Sequence, residues 1–264
     1  LNVTRTFRLD GSTIFAANNI TATRVFEPTV QSSYMEGNFT CQDYGGLSVF
    51  SYNTIYGNTV LSDSTGRMEQ SSTNFNNFYG NLTFINNSDY GNNYLSNASP
   101  LYDFVEGDLT VINNSTANIS VGLGGGRPLK VQGNFIVDAS SALVDINNLT
   151  FVGGTFNPHT TQLGSNPIRI NNLFMESGAE TRLDQNVEIN NSLVFDNGSN
   201  KINTTATALL ILNSGATVTR DPANNRGFIN GPLKKRGNQA FTFPVGKYEF
   251  QYGGDNYGPL SISA

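Results

Sequence analysis

Strand-like runs broken by Asn and Gly recur along this chain, and they constrain the fold more than any other feature. Gly80-Asn81-Leu82-Thr83-Phe84-Ile85-Asn86-Asn87 is followed by Gly107-Asp108-Leu109-Thr110-Val111-Ile112-Asn113-Asn114. Gly133-Asn134-Phe135-Ile136-Val137, Asn148-Leu149-Thr150-Phe151, Asn172-Leu173-Phe174-Met175 and Asn191-Ser192-Leu193-Val194-Phe195 keep the polar-then-apolar core of that pattern. A unit this short cannot bury its own apolar face, whereas stacked copies can. Apolar residues at i and i+2 of each run point into a shared interior. The equivalent positions Leu82, Leu109, Phe135, Leu149, Leu173 and Leu193 are 27, 26, 14, 24 and 20 residues apart. One solenoid turn with variable corner loops accounts for all but the 14, which places Phe135 and Leu149 on different faces of one turn.

The expected fold is therefore all-β: a right-handed parallel β-helix over residues 1–220, followed by a β-rich C-terminal junction over 221–264. Residues 1–70 alternate like strands without a clean repeat and are crowded with aromatics, among them Phe7, Phe15, Phe26, Tyr34, Phe39, Phe50, Tyr52 and Tyr56. They read as atypical first turns. Asn-Asn pairs recur at 86–87, 113–114, 147–148, 171–172 and 190–191. Asn tolerates the left-handed backbone of tight corners, and stacked Asn side chains can hydrogen-bond from one turn to the next. Leu109 and Leu173 are assigned to the core. From Asp221 the pattern is broken by Pro and Gly, and the final run Leu260-Ser261-Ile262 ends without a closing turn. Position 264 is thus expected to be a boundary within a longer polypeptide, as position 1, a Leu, is expected to follow a removed leader or upstream region.

Composition excludes some roles. The 37 Asn and the 13% charged residues mean that solubility rests on amides and hydroxyls. A net charge of −5 and a pI near 4.8 argue against nucleic acid, which requires a basic face. The basic run Lys234-Lys235-Arg236 reads as a solvated turn. No apolar run reaches the ~20 residues of a membrane helix, so the chain is expected not to span a membrane. Cys41 is the single cysteine, which rules out an internal disulfide and fits a small core residue on the same face as Phe39.

Gly227-Phe228-Ile229-Asn230-Gly231-Pro232-Leu233-Lys234-Lys235, then Phe241-Thr242-Phe243-Pro244-Val245-Gly246-Lys247, then Tyr257-Gly258-Pro259-Leu260 resembles a junction segment of large secreted Bacteroidota proteins. There a parallel β-helix of "G-N-L-x-V" turns precedes such a segment. Residues 80–264 fit the pattern and 1–79 fit it loosely. The resemblance implies a cell-surface adhesin, similar to gliding adhesins, exported by the type IX route. That route uses a C-terminal sorting domain, which these 264 residues do not contain.

Candidate chemistry is sparse. Glu180, Arg182 and Asp184 alternate with period 2 and share a face, with Glu176 and Glu188 nearby in sequence. Same-face neighbours on a strand lie roughly 6.6 Å apart, while a retaining glycosidase needs carboxylates about 5 Å apart and an inverting one more. A polysaccharide lyase or hydrolase on a β-helix scaffold is thus one alternative function, and a filament subunit is another. His159 sits in a loop signature, Phe156-Asn157-Pro158-His159, and lacks the second His or Cys cluster of a metal site. No cofactor is expected. Gly124-Gly125-Gly126-Arg127-Pro128 reads as a flexible corner. Tyr44, Tyr52, Tyr56, Tyr79, Tyr90 and Tyr94 lie among Asn, Ser and Gly, an amphipathic setting suited to adhesive surfaces. Within it, the loop Tyr90, Asn92, Asn93 and Tyr94 is the best candidate for ligand contact. The leading expectation is a non-catalytic, extracellular surface adhesin or stalk segment, with surface glycans, other cell-surface proteins or the secretion machinery as partners.

Overall fold

The computed structural model describes residues 2–5, 8–9, 14–15, 19–25, 29–44, 49–63, 76–87, 89, 93–96, 101–139, 144–153, 159–163, 168–176, 178–196, 198–220, 227–244, 246–249, 254–257 and 260–262. Among them there is no helix; parallel strands stack as a β-solenoid. The chain divides into two compact units, Leu1–Leu149 and Thr150–Ala264.

In the first unit, one sheet is built from Ile20–Val25, Phe39–Tyr44, Thr59–Asp63, Leu82–Asn86, Leu109–Asn113 and Phe135–Ala139. Its register aligns Ile20, Phe39, Thr59, Leu82, Leu109 and Phe135 in one column. Two residues on, Ala22, Cys41, Leu61, Phe84, Val111 and Val137 form a second. These side chains are buried, which is the period-2 pattern of strands with one face inward. A second face, from Tyr34–Met35, Thr54–Ile55, Asn77–Phe78, Asp103–Val105 and Leu129–Val131, sends Met35, Ile55, Phe78, Val105 and Val131 into the same core. On a third, Ile119–Val121 pairs with Asn93–Leu95 and with Val144, Asp145 and Ile146.

Corner chemistry sets the coil geometry. The side-chain oxygens of Asn19, Asn38, Asn58, Asn81 and Asp108 each accept the backbone N–H of the residue one coil on, at 2.8–3.1 Å, ending at Asn134. Beside this ladder runs a glycine column. A Cβ on Gly80 would lie 2.5 Å from the Gly57 carbonyl oxygen, so only glycine lets the coils approach this closely. Gly37-Asn38 and Gly57-Asn58 belong to this column, so the coils that continue into Phe39–Tyr44 and Thr59–Asp63 share the corner of the later ones. A second ladder runs through Ser33, Asn53, Asn76 and Asp103. There each backbone N–H donates to the side chain of the coil above, and the Asn53 and Asn76 amides reinforce it.

In the second unit, His159–Leu163, Glu180–Leu183, Lys201–Asn203 and Phe228–Asn230 form one parallel ladder. Ile168–Glu176 and Val187–Phe195 pair at seven positions, aligning Leu173 with Leu193 and Met175 with Phe195. The register shifts between Ile170 and Asn172, where the Asn-Asn pairs turn the corner. Val187–Phe195 then meets Leu210–Leu212 and Thr217–Arg220, and Leu210–Leu212 meets Leu233–Lys235. Parallel coiling thus continues to Lys235, inside the segment expected as junction. Antiparallel pairing follows: Phe241–Phe243 with Leu260–Ile262, and Gly246–Glu249 with Gly254–Tyr257.

The stacked-amide part of the Asn-Asn expectation holds at 86–87, 113–114, 171–172 and 190–191, but the left-handed part does not: among the described residues the non-glycine left-handed positions are Arg24, Ser32, Tyr52 and Ser96. Asn86 donates to Asn113, Asn114 to Asn87, Asn190 to Asn171 and Asn213 to Asn190. Two local readings need correction. Lys234-Lys235-Arg236 is not a solvated turn: the Lys235 ammonium donates to the carbonyls of Asn213, Ser214 and Arg236, and Arg236 bonds Asn213 and Glu188. The Asn213 carbonyl accepts the Ala216 N–H at 2.9 Å, and the Lys235 ammonium adds a second donor to it. Residue 159 opens a strand rather than a loop, because the β-branched Thr160 and Thr161 favour the ladder.

Candidate functional site

The most distinctive surface is a set of tyrosines on the second face of the first unit. Outward positions on that face alternate with the buried Met35, Ile55, Phe78 and Val105, so successive coils present Tyr34, then Tyr56, Tyr79 and Tyr102. With Tyr52 they are 36–46% exposed, unusual for large rings. The Tyr34 and Tyr56 centroids lie 5.4 Å apart with the planes tilted at 56°. Tyr56 and Tyr79 stack at 4.6 Å and 9°. The Lys130 ammonium sits 4.3 Å from the Tyr102 centroid, a cation–π arrangement. Partial desolvation, then Tyr56 and Glu36, hold the Tyr34 phenol above its ordinary pKa. Tyr52 adopts a left-handed backbone, φ 56°, at a corner where Gly or Asn would be cheaper.

The contact loop expected from sequence is described only at Asn93 and Tyr94. Tyr90 and Asn92 fall outside the described residues. Asn93 and Tyr94 belong to the strand Asn93–Leu95, which pairs with Ile119–Val121, and Tyr94 is half-buried. The sequence reading included Tyr52, Tyr56 and Tyr79 among the polar-flanked aromatics. What marks Tyr34, Tyr56, Tyr79 and Tyr102 as a group is their recurrence at spacings of 22, 23 and 23, which becomes visible once the coils are placed.

Glu180, Arg182 and Asp184 do share an outer face, since Thr181 and Leu183 between them are buried. Each acid is already engaged. Glu180 takes Lys201 at 3.1 Å and the Asn203 amide at 2.7 Å. Asp184 is bound by Arg182 at 3.1 Å. Farther along, Glu188 is buried and lies between Arg169, at 3.5 Å, and Arg236, at 2.6 Å. Among the described residues no cluster of His, Cys, Asp and Glu could hold a metal ion. Cys41 is buried, and burial pushes its thiol up to about 12, far from a reactive thiolate. The triple-glycine corner is anchored: the Asn148 amide donates to the carbonyls of Gly122 and Gly124, both at 3.0 Å.

Among the described residues no helix is long and apolar enough to cross a membrane. The chain matches no protein-family model, no curated protein and no solved structure.

Proposed function

We propose that this chain is part of an extracellular cell-surface adhesin, or of its stalk, and that it acts by many weak contacts rather than by catalysis. The observation that carries this reading is the exposed tyrosine face. Its rings are held on a scaffold of laddered side chains, so little conformational freedom is lost when a partner binds. Repeating such groups along a stack favours multivalent contact with extended, uncharged partners, surface glycans first among them. The likeness of the C-terminal segment to exported Bacteroidota surface proteins supports a place outside the cell. Contact rather than hydrolysis is supported at the Glu180–Asp184 cluster by the ion pairs that occupy both carboxylates.

The test is a glycan array probed with the intact chain and with a Tyr52→Ala/Tyr102→Ala variant. These two lie outside the stacked trio, so their loss spares the ladder. Expected is carbohydrate binding that falls at least tenfold in the variant while the melting temperature holds. Binding that is equal in both proteins removes the tyrosine face from the reading.

A further inference from the structure

We infer that Tyr56 and Tyr79 form a site of oxidative modification, at which a dityrosine bond joins two neighbouring coils. Near-parallel stacking, with the centroids 4.6 Å apart and 9° between the planes, holds the two rings face to face, and both are open to solvent. Tyr34 adjoins the pair with its ring 5.4 Å from that of Tyr56, close enough that Tyr56 contributes to the raised pKa of the Tyr34 phenol. An unpaired electron formed on any of the three rings is therefore one short step from the stacked pair.

Little else on the described surface competes for a one-electron oxidant. The chain has no Trp. Met35, Met175 and Cys41 are buried, and the thiol is held in its unreactive protonated form. Oxidation at the surface is thus directed to tyrosine.

The chemistry closes without a leaving group. Each phenol gives up one electron and one proton, and the resulting radicals carry spin at their ortho carbons. A carbon–carbon bond forms between the two Cε atoms, and each ring regains aromaticity by moving its ortho hydrogen to the phenolic oxygen. The two electrons and two protons released reduce one hydrogen peroxide, delivered through a haem peroxidase, to two waters. The product bridges residues 56 and 79 across one coil. A chain with a single cysteine has no internal disulfide, and this link constrains the unfolded ensemble in the way a disulfide does.

The experiment treats the intact chain with horseradish peroxidase and limiting hydrogen peroxide. Dityrosine fluorescence is followed, and tryptic peptides are analysed by mass spectrometry. Cleavage at Arg67 separates the two partners, so the link appears as a joined pair of peptides lighter by two hydrogens. Expected is a cross-link within the monomer that fragmentation assigns to Tyr56–Tyr79. Tyr56→Phe and Tyr79→Phe, which keep the rings and the fold, should each reduce it at least tenfold, and Tyr52→Phe should leave it intact. Cross-linking only between molecules, a link at Tyr34–Tyr56 in its place, or persistence in Tyr79→Phe would overturn the assignment. So would the absence of dityrosine under conditions that oxidise free tyrosine.

Discussion

The two units solve the same stacking problem with different lateral chemistry. In Leu1–Leu149, corner side chains accept backbone N–H groups from the next coil, and a column of glycines brings the coils close together. Amide-to-amide pairs occur in both units, at Asn86–Asn113 as at Asn171–Asn190, but in Thr150–Ala264 cations complete the column: Arg236 caps Asn213 and Glu188, and Lys235 caps three carbonyls. The first device depends on shape and allows almost no substitution. The second depends on charge and should respond to ionic conditions. Stacked parallel coils can therefore differ in what breaks them.

The largest effect tests what the units share. Leu109 and Leu173 are both buried in their respective columns. Leu109→Asp or Leu173→Asp places a carboxylate in a dry interior with no partner, at a cost of about 4–5 kcal/mol or more. Each should abolish the cooperative thermal transition of its own unit, followed by circular dichroism. Wild-type melting in either variant would mean the side chain is not in the core. Next comes the glycine column. Gly80→Ala drives a methyl into the backbone of Gly57 and should cost roughly 2–3 kcal/mol. In the second unit a Cβ on Gly215 would meet nothing within 4 Å, so Gly215→Ala should stay within about 0.5 kcal/mol. Equal losses in the two variants, by chemical denaturation, would remove the close-approach argument.

The stacked architecture was legible because the runs at Gly80, Gly107 and Gly133 share both a corner and a strand. The earlier members were harder to see. Gly37-Asn38 and Gly57-Asn58 carry the same corner, but they are followed by Phe39-Thr40-Cys41 and Thr59-Val60-Leu61, and Thr59 puts a hydroxyl at a core position. Sequence similarity blurs where only size and burial are selected. The tyrosine face was not picked out as a group for a related reason. Tyr90 and Tyr94 stand out because they are close in sequence, whereas Tyr34, Tyr56 and Tyr79 become neighbours only through coils of 22 and 23 residues. Lys235 likewise looks like a surface charge until the carbonyls it caps are in view.

Asp103 offers a finer test of the first unit. It ends the Asn53–Asn76 ladder, and its Oδ1 accepts both donors of Asn76. The next position in that column is Leu129, which offers nothing to bond, and Ser96 is the one further group that lowers the Asp103 pKa. Burial pushes the carboxyl up to about 6, against the lowering influence of Asn76. The folded value lies above the unfolded one of about 3.9. This group therefore favours folding fully below pH ~4, and its contribution is lost as pH rises through about 6. The first unit should gain about 2 kcal/mol from it between pH 7 and pH 4. Asp103→Asn should remove that dependence and raise stability at pH 7. An unchanged pH profile of melting in Asp103→Asn would show that Asp103 is ionised in the fold.

The smallest effect separates the two lateral chemistries most directly. Glu188→Gln keeps an acceptor for Arg236 but removes the charge shared with Arg169, and should cost about 1 kcal/mol, since both arginines can turn to solvent. Asn58→Ala in the first unit removes the acceptor of the Asn81 N–H and should cost a similar ~1 kcal/mol. Only the first loss is electrostatic. Denaturation at low salt and again near ~1 M salt, where the Debye length shrinks to ~3 Å, should narrow the gap between wild type and Glu188→Gln while leaving the Asn58→Ala gap unchanged. If the two gaps respond alike, the units differ in sequence but not in what holds their coils together.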